Sequence, residues 1–136
     1  MLLLLTALRW ARGDVMIQNE IGAVFVPVRN VEAARGWYSR LLALPEGEVL
    51  FGHLYVVPMR GGSGLVLDSK QFSGPHAGKP IFHFNTDDLA AAHAHCAALG
   101  VDELGPVTDG AFFTFKDPDG NLLMVADVPP APQWPA

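Results

Sequence analysis

The side chains that could do acid–base or metal chemistry are few and widely spaced. The chain has five histidines and one cysteine. His93 and His95 lie two positions apart in a predicted helix, so they point in different directions and cannot form the i, i+4 pair of a helical metal site. Cys96 lies in the same helical pattern, where a small buried side chain is its expected role. Neither group therefore predicts a site.

Three other residues are better candidates: His53, Asp68 and His83, each on or next to a predicted strand. Imidazole and carboxylate groups bind metal ions, and imidazole is the commonest general acid or base. His83 is the best single candidate for a catalytic residue, either as a hydrogen-bonding group or as an acid–base group that acts without a metal. Whether the three side chains converge is left open, because a metal ion needs all of them at about 2.0–2.2 Å.

The clearest structural signal is the sequence DPDGN at residues 117–121. Asp117 can accept a hydrogen bond from the backbone two residues on, and Gly120 can adopt the positive φ of a tight turn. The apolar flanks at residues 111–115 and 122–126 are therefore predicted to be antiparallel strands joined by a hairpin.

The chain repeats one order of elements, strand, helix and three further strands. In the first half Asn30 is a helix cap, and the predicted elements are a strand at 21–28, a helix at 31–42 and strands at 48–51, 54–58 and 65–68. In the second half Asp87 or Asp88 is the cap, and the predicted elements are a strand at 81–85, a helix at 89–99 and strands at 101–107, 111–115 and 122–126. Placing Asn30 on Asp88 also places the first helix on the second, and we call this register the cap alignment. The repetition indicates duplication of one module.

Composition limits the possible partners. A net charge of −5 without a Lys/Arg cluster argues against nucleic-acid binding. The apolar run at residues 1–8 is too short to span a membrane. A signal peptide has basic residues before its apolar region, and this run has none. One cysteine fits a reducing cytoplasm. We expect an N-terminal extension at 1–15, a single domain at 16–128 with modules at about 20–70 and 79–128, and a proline-rich tail at 129–136.

The strand–cap–helix segment at residues 26–44, taken with the DPDGN hairpin, resembles the glyoxalase/bleomycin-resistance/extradiol-dioxygenase superfamily, also called vicinal oxygen chelate. The resemblance covers roughly residues 20–128. It implies an α+β fold in which two βαβββ modules form curled mixed sheets around a central cleft. It also implies a divalent metal in that cleft, held by a His on the first strand of each module and a Glu on the last.

The implied ligand positions carry the wrong side chains in this sequence. They fall on Ala23 and Ile81 in the first strands and on Val66 and Met124 in the last strands. None of the four can bind a hard divalent cation. We therefore expect no cofactor. The alternative is a divalent metal in a displaced site built from His53, Asp68 and His83.

The alternation of side chains along the strands predicts which residues line the cleft. They are mainly apolar, with a few polar groups, and include Phe25, Val66, Asp68, Ile81, His83, Asn85 and Met124. Such a surface is typical of a site for small organic molecules. Closely packed filler between the modules is the other interpretation.

The leading hypothesis for function is therefore binding of a small organic molecule without a metal, in the manner of the bleomycin-resistance branch. The alternative is a lyase, isomerase or dioxygenase that uses the displaced metal site or His83. Whether the protein is an enzyme is left open, because the superfamily includes lactoylglutathione lyase and dioxygenases. A regulatory dimer without a ligand is the third possibility. We expect a homodimer.

Overall fold

The computed structural model of the protein describes residues 16–128. Its elements in chain order are β1 Ala23–Pro27, α1 Val31–Leu42, β2 Leu54–Val57, β3 Gly64–Asp68, β4 Phe84–Asn85, α2 Leu89–Leu99, β5 Phe112–Lys116 and β6 Leu122–Ala126. The predicted extension at 1–15 and tail at 129–136 lie outside the described residues. Within residues 16–128 no helix is long and apolar enough to cross a membrane.

Both helices begin and end where the sequence predicts. The Asn30 side chain accepts hydrogen bonds of 3.0 Å from two backbone N–H groups in the first turn of α1. At α2 the cap is Asp88 and not Asp87, since Asp88 accepts the corresponding 3.0 Å bond. Gly100 ends α2 in the left-handed conformation at φ 69°, which glycine adopts without steric cost.

The strands form two three-stranded mixed sheets, in the orders β1-β3-β2 and β4-β6-β5. In each sheet the first strand is parallel to its neighbour and the other pair is antiparallel. A helical crossover produces the parallel pair, and a hairpin produces the antiparallel one. The α+β class is confirmed.

The cap alignment relates the two modules strand by strand as well as helix by helix. It carries β3, Gly64–Asp68, onto β6, Leu122–Ala126. It also preserves the pairing, because the pair of Val26 and Leu67 in the first sheet corresponds to Phe84 and Val125 in the second. Residues of one module therefore have structural counterparts in the other.

The described residues give each sheet three strands, where the sequence predicts four in each module. The predicted strands at 48–51 and 101–107 are wrong and leave isolated bridges, which join Leu50 to Leu54, Asp102 to Lys116 and Thr108 to Phe112. In the first module Phe51 and Gly52 adopt positive φ, so the chain turns before a strand can extend. In the second, Gly105 and Pro106 interrupt the segment.

The predicted strand at 81–85 is also too long, because β4 contains only Phe84 and Asn85. Pro80 stands directly before this segment and has no backbone N–H to donate to a ladder. Ile81 and His83 therefore lie in the chain that leads into the strand.

The helices cover one face of the sheets, and the other elements of residues 16–128 leave the opposite face open. Helix α1 packs on β2 and β3, and α2 packs on β6. The buried side chains alternate along the strands and include Val26, Val28, Tyr55, Leu65, Leu67, Phe113, Phe115, Leu123 and Val125. Cys96 belongs to this core, as predicted, and burial raises the pKa of its thiol to about 11.

Candidate functional site

The open face of the first sheet carries a row of three apolar side chains. Phe25 on β1, Val66 on β3 and Val56 on β2 are direct cross-strand partners. Val66, on the central strand, is buried, but Phe25 is 55% exposed and Val56 is 49% exposed. The row therefore presents an apolar surface in which Phe25 and Val56 are exposed on either side of the buried Val66.

The second sheet presents a more mixed face. Met124 on β6 pairs with Thr114 on β5 and is half-buried, whereas Asn85 at the end of β4 is exposed. Ile81 is 53% exposed. The Nδ1 atom of His83 lies 3.3 Å from the carbonyl oxygen of the adjacent Phe84, which is a local contact. Asn85 and Met124 share a strand face, because Asn85 pairs with Ala126, two residues from Met124, whereas Ile81 and His83 precede β4.

His53 and Asp68 form a direct pair at the end of the first sheet. Their Nδ1 and Oδ1 atoms are 3.1 Å apart, and both side chains are half-buried. The same Oδ1 accepts a hydrogen bond of 2.9 Å from the backbone N–H of Lys70. This hydrogen bond from Lys70, and then the one from His53, lowers the pKa of the Asp68 carboxyl. Asp68 is thus held as a charged acceptor.

The structure brings together two members of the predicted triad and not the third. His83 is absent from the contacts of the His53–Asp68 pair, and its own polar contact is to Phe84. Among residues 16–128 no three His, Cys, Asp or Glu side chains are grouped so that they could hold a metal ion. The described residues therefore offer a two-residue hydrogen-bonded pair at this position.

The DPDGN sequence does more than close a hairpin, because Asp117 joins the two modules. Its Oδ2 atom accepts hydrogen bonds from the Tyr38 hydroxyl of α1 at 2.7 Å and from Asn121 Nδ2 at 2.8 Å. Asn121 Nδ2 also donates to the carbonyl oxygen of Pro27 at the end of β1, at 2.8 Å. All three side chains of this Asp117–Tyr38–Asn121 junction are buried. The turn of the second module is thereby attached to the first strand and helix of the first module.

Tyr38 lies among apolar residues of α1 but has a polar role, because its hydroxyl donates to Asp117. The pKa of Tyr38 is raised well above its ordinary 10.0, first by burial and then by the charges of Asp117 and Asp119 and the hydrogen bond to Asp117. Tyr38 is therefore a neutral donor to Asp117. A tyrosine among the apolar residues of a helix was the available signal, since a buried hydroxyl needs a partner.

The four positions that the resemblance assigns to metal ligands form two equivalent pairs. In the cap alignment Ala23 is equivalent to Ile81, and Val66 is equivalent to Met124. Each module therefore contributes the same two positions. Three of these side chains have no donor atom, and the thioether of Met124 is a soft ligand. These residues do not fit a hard divalent ion.

Two βαββ modules, each with a helix on one face of its sheet and an open opposite face, define the class of this protein. A family model described as Glyoxalase/Bleomycin resistance protein/Dioxygenase superfamily matches residues 20–125. The chain belongs to this superfamily. A comparison with curated protein sequences gives no match.

Solved structures share the fold at low sequence identity. A glyoxalase/bleomycin resistance protein from Catenulispora acidiphila DSM 44928 is 24% identical, with a TM-score of 0.60, over 82% of this chain and 100% of that one. TnmS3, an antibiotic binding protein from Streptomyces sp. CB03234, is 25% identical, with a TM-score of 0.64, over 82% and 98%. Lactoylglutathione lyase from Agrobacterium tumefaciens is 22% identical, with a TM-score of 0.60, over 80% and 93%. The similar structures thus include both a binding protein and an enzyme.

Proposed function

We propose that this protein binds a small organic molecule on the open faces of its two sheets and that it does so without a catalytic metal. The observation that carries the proposal is the apolar row of Phe25, Val66 and Val56 on the face that the helices leave uncovered. Small-molecule sites are largely apolar with a few placed polar groups. Asp68 and His53, at the end of the same sheet, supply such groups.

The expected driving force is burial of the exposed part of the row. Covering the 55% of Phe25 that is exposed is worth roughly 1–2 kcal/mol, about half of what fully burying such a side chain contributes. Val56 contributes a smaller amount. Binding by sequestration requires only that the free energy of this burial exceed the cost of ordering the ligand. The likeness to TnmS3, an antibiotic binding protein, supports this mode.

A neutral fluorescent dye, Nile red, tests the proposal directly. We expect saturable binding that Phe25→Ser and Val56→Thr each weaken, because each variant removes apolar surface from the row. Val107→Thr is the matched control, since Val107 is also exposed but lies outside the strands. Equal loss in all three variants, or no loss in the first two, would contradict the proposal.

A homodimer is part of the same proposal. The exposed apolar side chains Ile21, Phe25, Val56 and Ile81 give a surface that a second copy can cover beside a ligand. Sedimentation equilibrium should give twice the chain mass, and Ile81→Ser should weaken the association.

A second candidate function rests on the His53–Asp68 pair. A carboxylate that orients an imidazole is the arrangement of a general base, so a lyase or isomerase that moves a proton without a metal would use His53 in place of the predicted His83. Activity that is lost in His53→Gln and retained in His83→Gln would favour this function over sequestration.

A further inference from the structure

The two modules contain the same tight turn at one end of their sheets. Bridges join Leu50 to Leu54 in the first module and Thr108 to Phe112 in the second, with the same pattern of backbone hydrogen bonds. In the second module the left-handed residues of the turn are Asp109 at φ 54° and Gly110 at φ 61°. Asp-Gly is the usual composition for such a pair. The second module therefore shows which residues this turn favours.

The first module places Phe51 at the position of Asp109. Phe51 has φ 53°, a conformation in which a bulky side chain is strained, and its ring is 83% exposed. Packing within the described chain therefore offsets little of the strain. Strained residues of this kind cluster at functional sites.

Two further residues at this end of the sheet also differ between the modules. In the cap alignment Ala111 occupies the position equivalent to His53, and Ala126 occupies the position equivalent to Asp68. The first module thus has an aromatic ring, an imidazole and a carboxylate at these three positions. The second module has an aspartate and two alanines there. His53 is two positions from Phe51 in the same turn and is bonded to Asp68. These three side chains lie at one end of one sheet, and the second module has no equivalent set, so a site there belongs to the first module alone.

The hydrogen bond between His53 and Asp68 determines what the site can bind. An ionised carboxylate only accepts hydrogen bonds, so the shared hydrogen is on Nδ1 of His53. In the neutral form of this imidazole the lone pair is on Nε2, where it can accept a hydrogen bond from a ligand. Asp68 shares its strand face with Val66, two residues away on β3, so the pair stands at the end of the open face.

We propose that Phe51, His53 and Asp68 form a subsite for a planar aromatic ring that carries a hydroxyl or N–H donor. The ring stacks on Phe51, and the donor bonds to Nε2 of His53, while Asp68 positions the imidazole. This inference rests on the proposed function and names the class of ligand.

The test uses 2-naphthol and naphthalene as probes of the full chain, followed by amide chemical shifts in NMR spectra. We expect 2-naphthol to shift the amides of residues 51–54 and 68 and to bind roughly fivefold more tightly than naphthalene, the value of one hydrogen bond. His53→Leu should abolish that preference. Phe51→Asn should weaken both probes by roughly two- to tenfold through loss of the stacked ring, with an unchanged or higher Tm because asparagine tolerates the left-handed turn.

The duplicated module supplies the control. Asp109→Phe should lower the Tm, because it places a bulky side chain in a left-handed conformation like that of Phe51. It should leave the affinity for 2-naphthol unchanged. Equal binding of the two probes to the wild type, or a lower Tm for Phe51→Asn, would overturn the subsite. Shifts confined to Phe25 and Met124 would also overturn it but would leave the proposed function standing. If 2-naphthol shifts no amide at millimolar concentration, both proposals fail.

Discussion

Replacing Asp117 by alanine should destabilise the protein more than any other single change to a charged residue in the described chain. The carboxylate is buried and accepts four hydrogen bonds. They come from the Tyr38 hydroxyl, from Asn121 Nδ2 and from the backbone N–H groups of Asp119 and Asn121. The substitution therefore removes the bond from Tyr38 that helps to join the two modules at this junction.

The size of the effect follows from what becomes of these donors. In Asp117→Ala the Nδ2 atom of Asn121 keeps its bond to Pro27, but the Tyr38 hydroxyl and the two backbone groups lose theirs. A buried donor without a partner costs about 1–3 kcal/mol. Water that enters the space left by the carboxylate offsets part of this, so we expect a total loss of about 3–5 kcal/mol. Tyr38→Phe removes one donor and should cost about 1–2 kcal/mol.

Urea unfolding followed by circular dichroism measures the loss, provided that the m value stays that of the wild type. Asp88→Ala is the matched control, because it removes an aspartate from an exposed helix cap where the carboxylate accepts one hydrogen bond from a backbone N–H. It should cost about 1 kcal/mol. If Asp117→Ala costs no more than Asp88→Ala, the junction does not hold the modules together and the reasoning is refuted.

Three further predictions concern the same framework. The raised pKa of Tyr38 means that its contribution to stability is present below pH 10.0 and is lost as the pH rises further, since the unfolded chain ionises first; urea unfolding between about pH 8 and 11 should therefore show a steeper decline in the wild type than in Tyr38→Phe. Asn30→Ala should cost about 1 kcal/mol through loss of the α1 cap, and a value near zero would contradict the capping. Gly100→Ala should lower stability by about 1 kcal/mol because of its φ of 69°, whereas a gain in Tm would show that the left-handed end of α2 is not retained.

Much of the fold could be predicted because its signals are local. The caps Asn30 and Asp88 and the stop Gly100 define both helices, since each acts through its own side chain or its own φ. The spacing between the two caps also establishes the repeat that the strands then follow. The strands at 48–51 and 81–85 could not be predicted correctly, because their apolar character does not reveal the turn at Phe51 or that pairing with β6 begins only at Phe84.

The candidate site shows a sharper limit. Alternation along β3 predicts that Val66 and Asp68 share a face, and this needs only local geometry. The pairing of His53 with Asp68 joins residues 15 positions apart, and the bond from Tyr38 to Asp117 joins residues 79 apart. Such contacts depend on how the elements pack together. Once the repeat is known, however, comparison of the two modules is possible from the sequence, and it would have revealed Phe51.

The central claim is that the open apolar faces bind a small organic molecule independently of any metal ion. Nile red titration of the untagged protein, before and after exhaustive chelation with EDTA, tests it most directly. We expect saturable binding with the same Kd in both samples. Binding that disappears on chelation and returns with one equivalent of a divalent ion would contradict it.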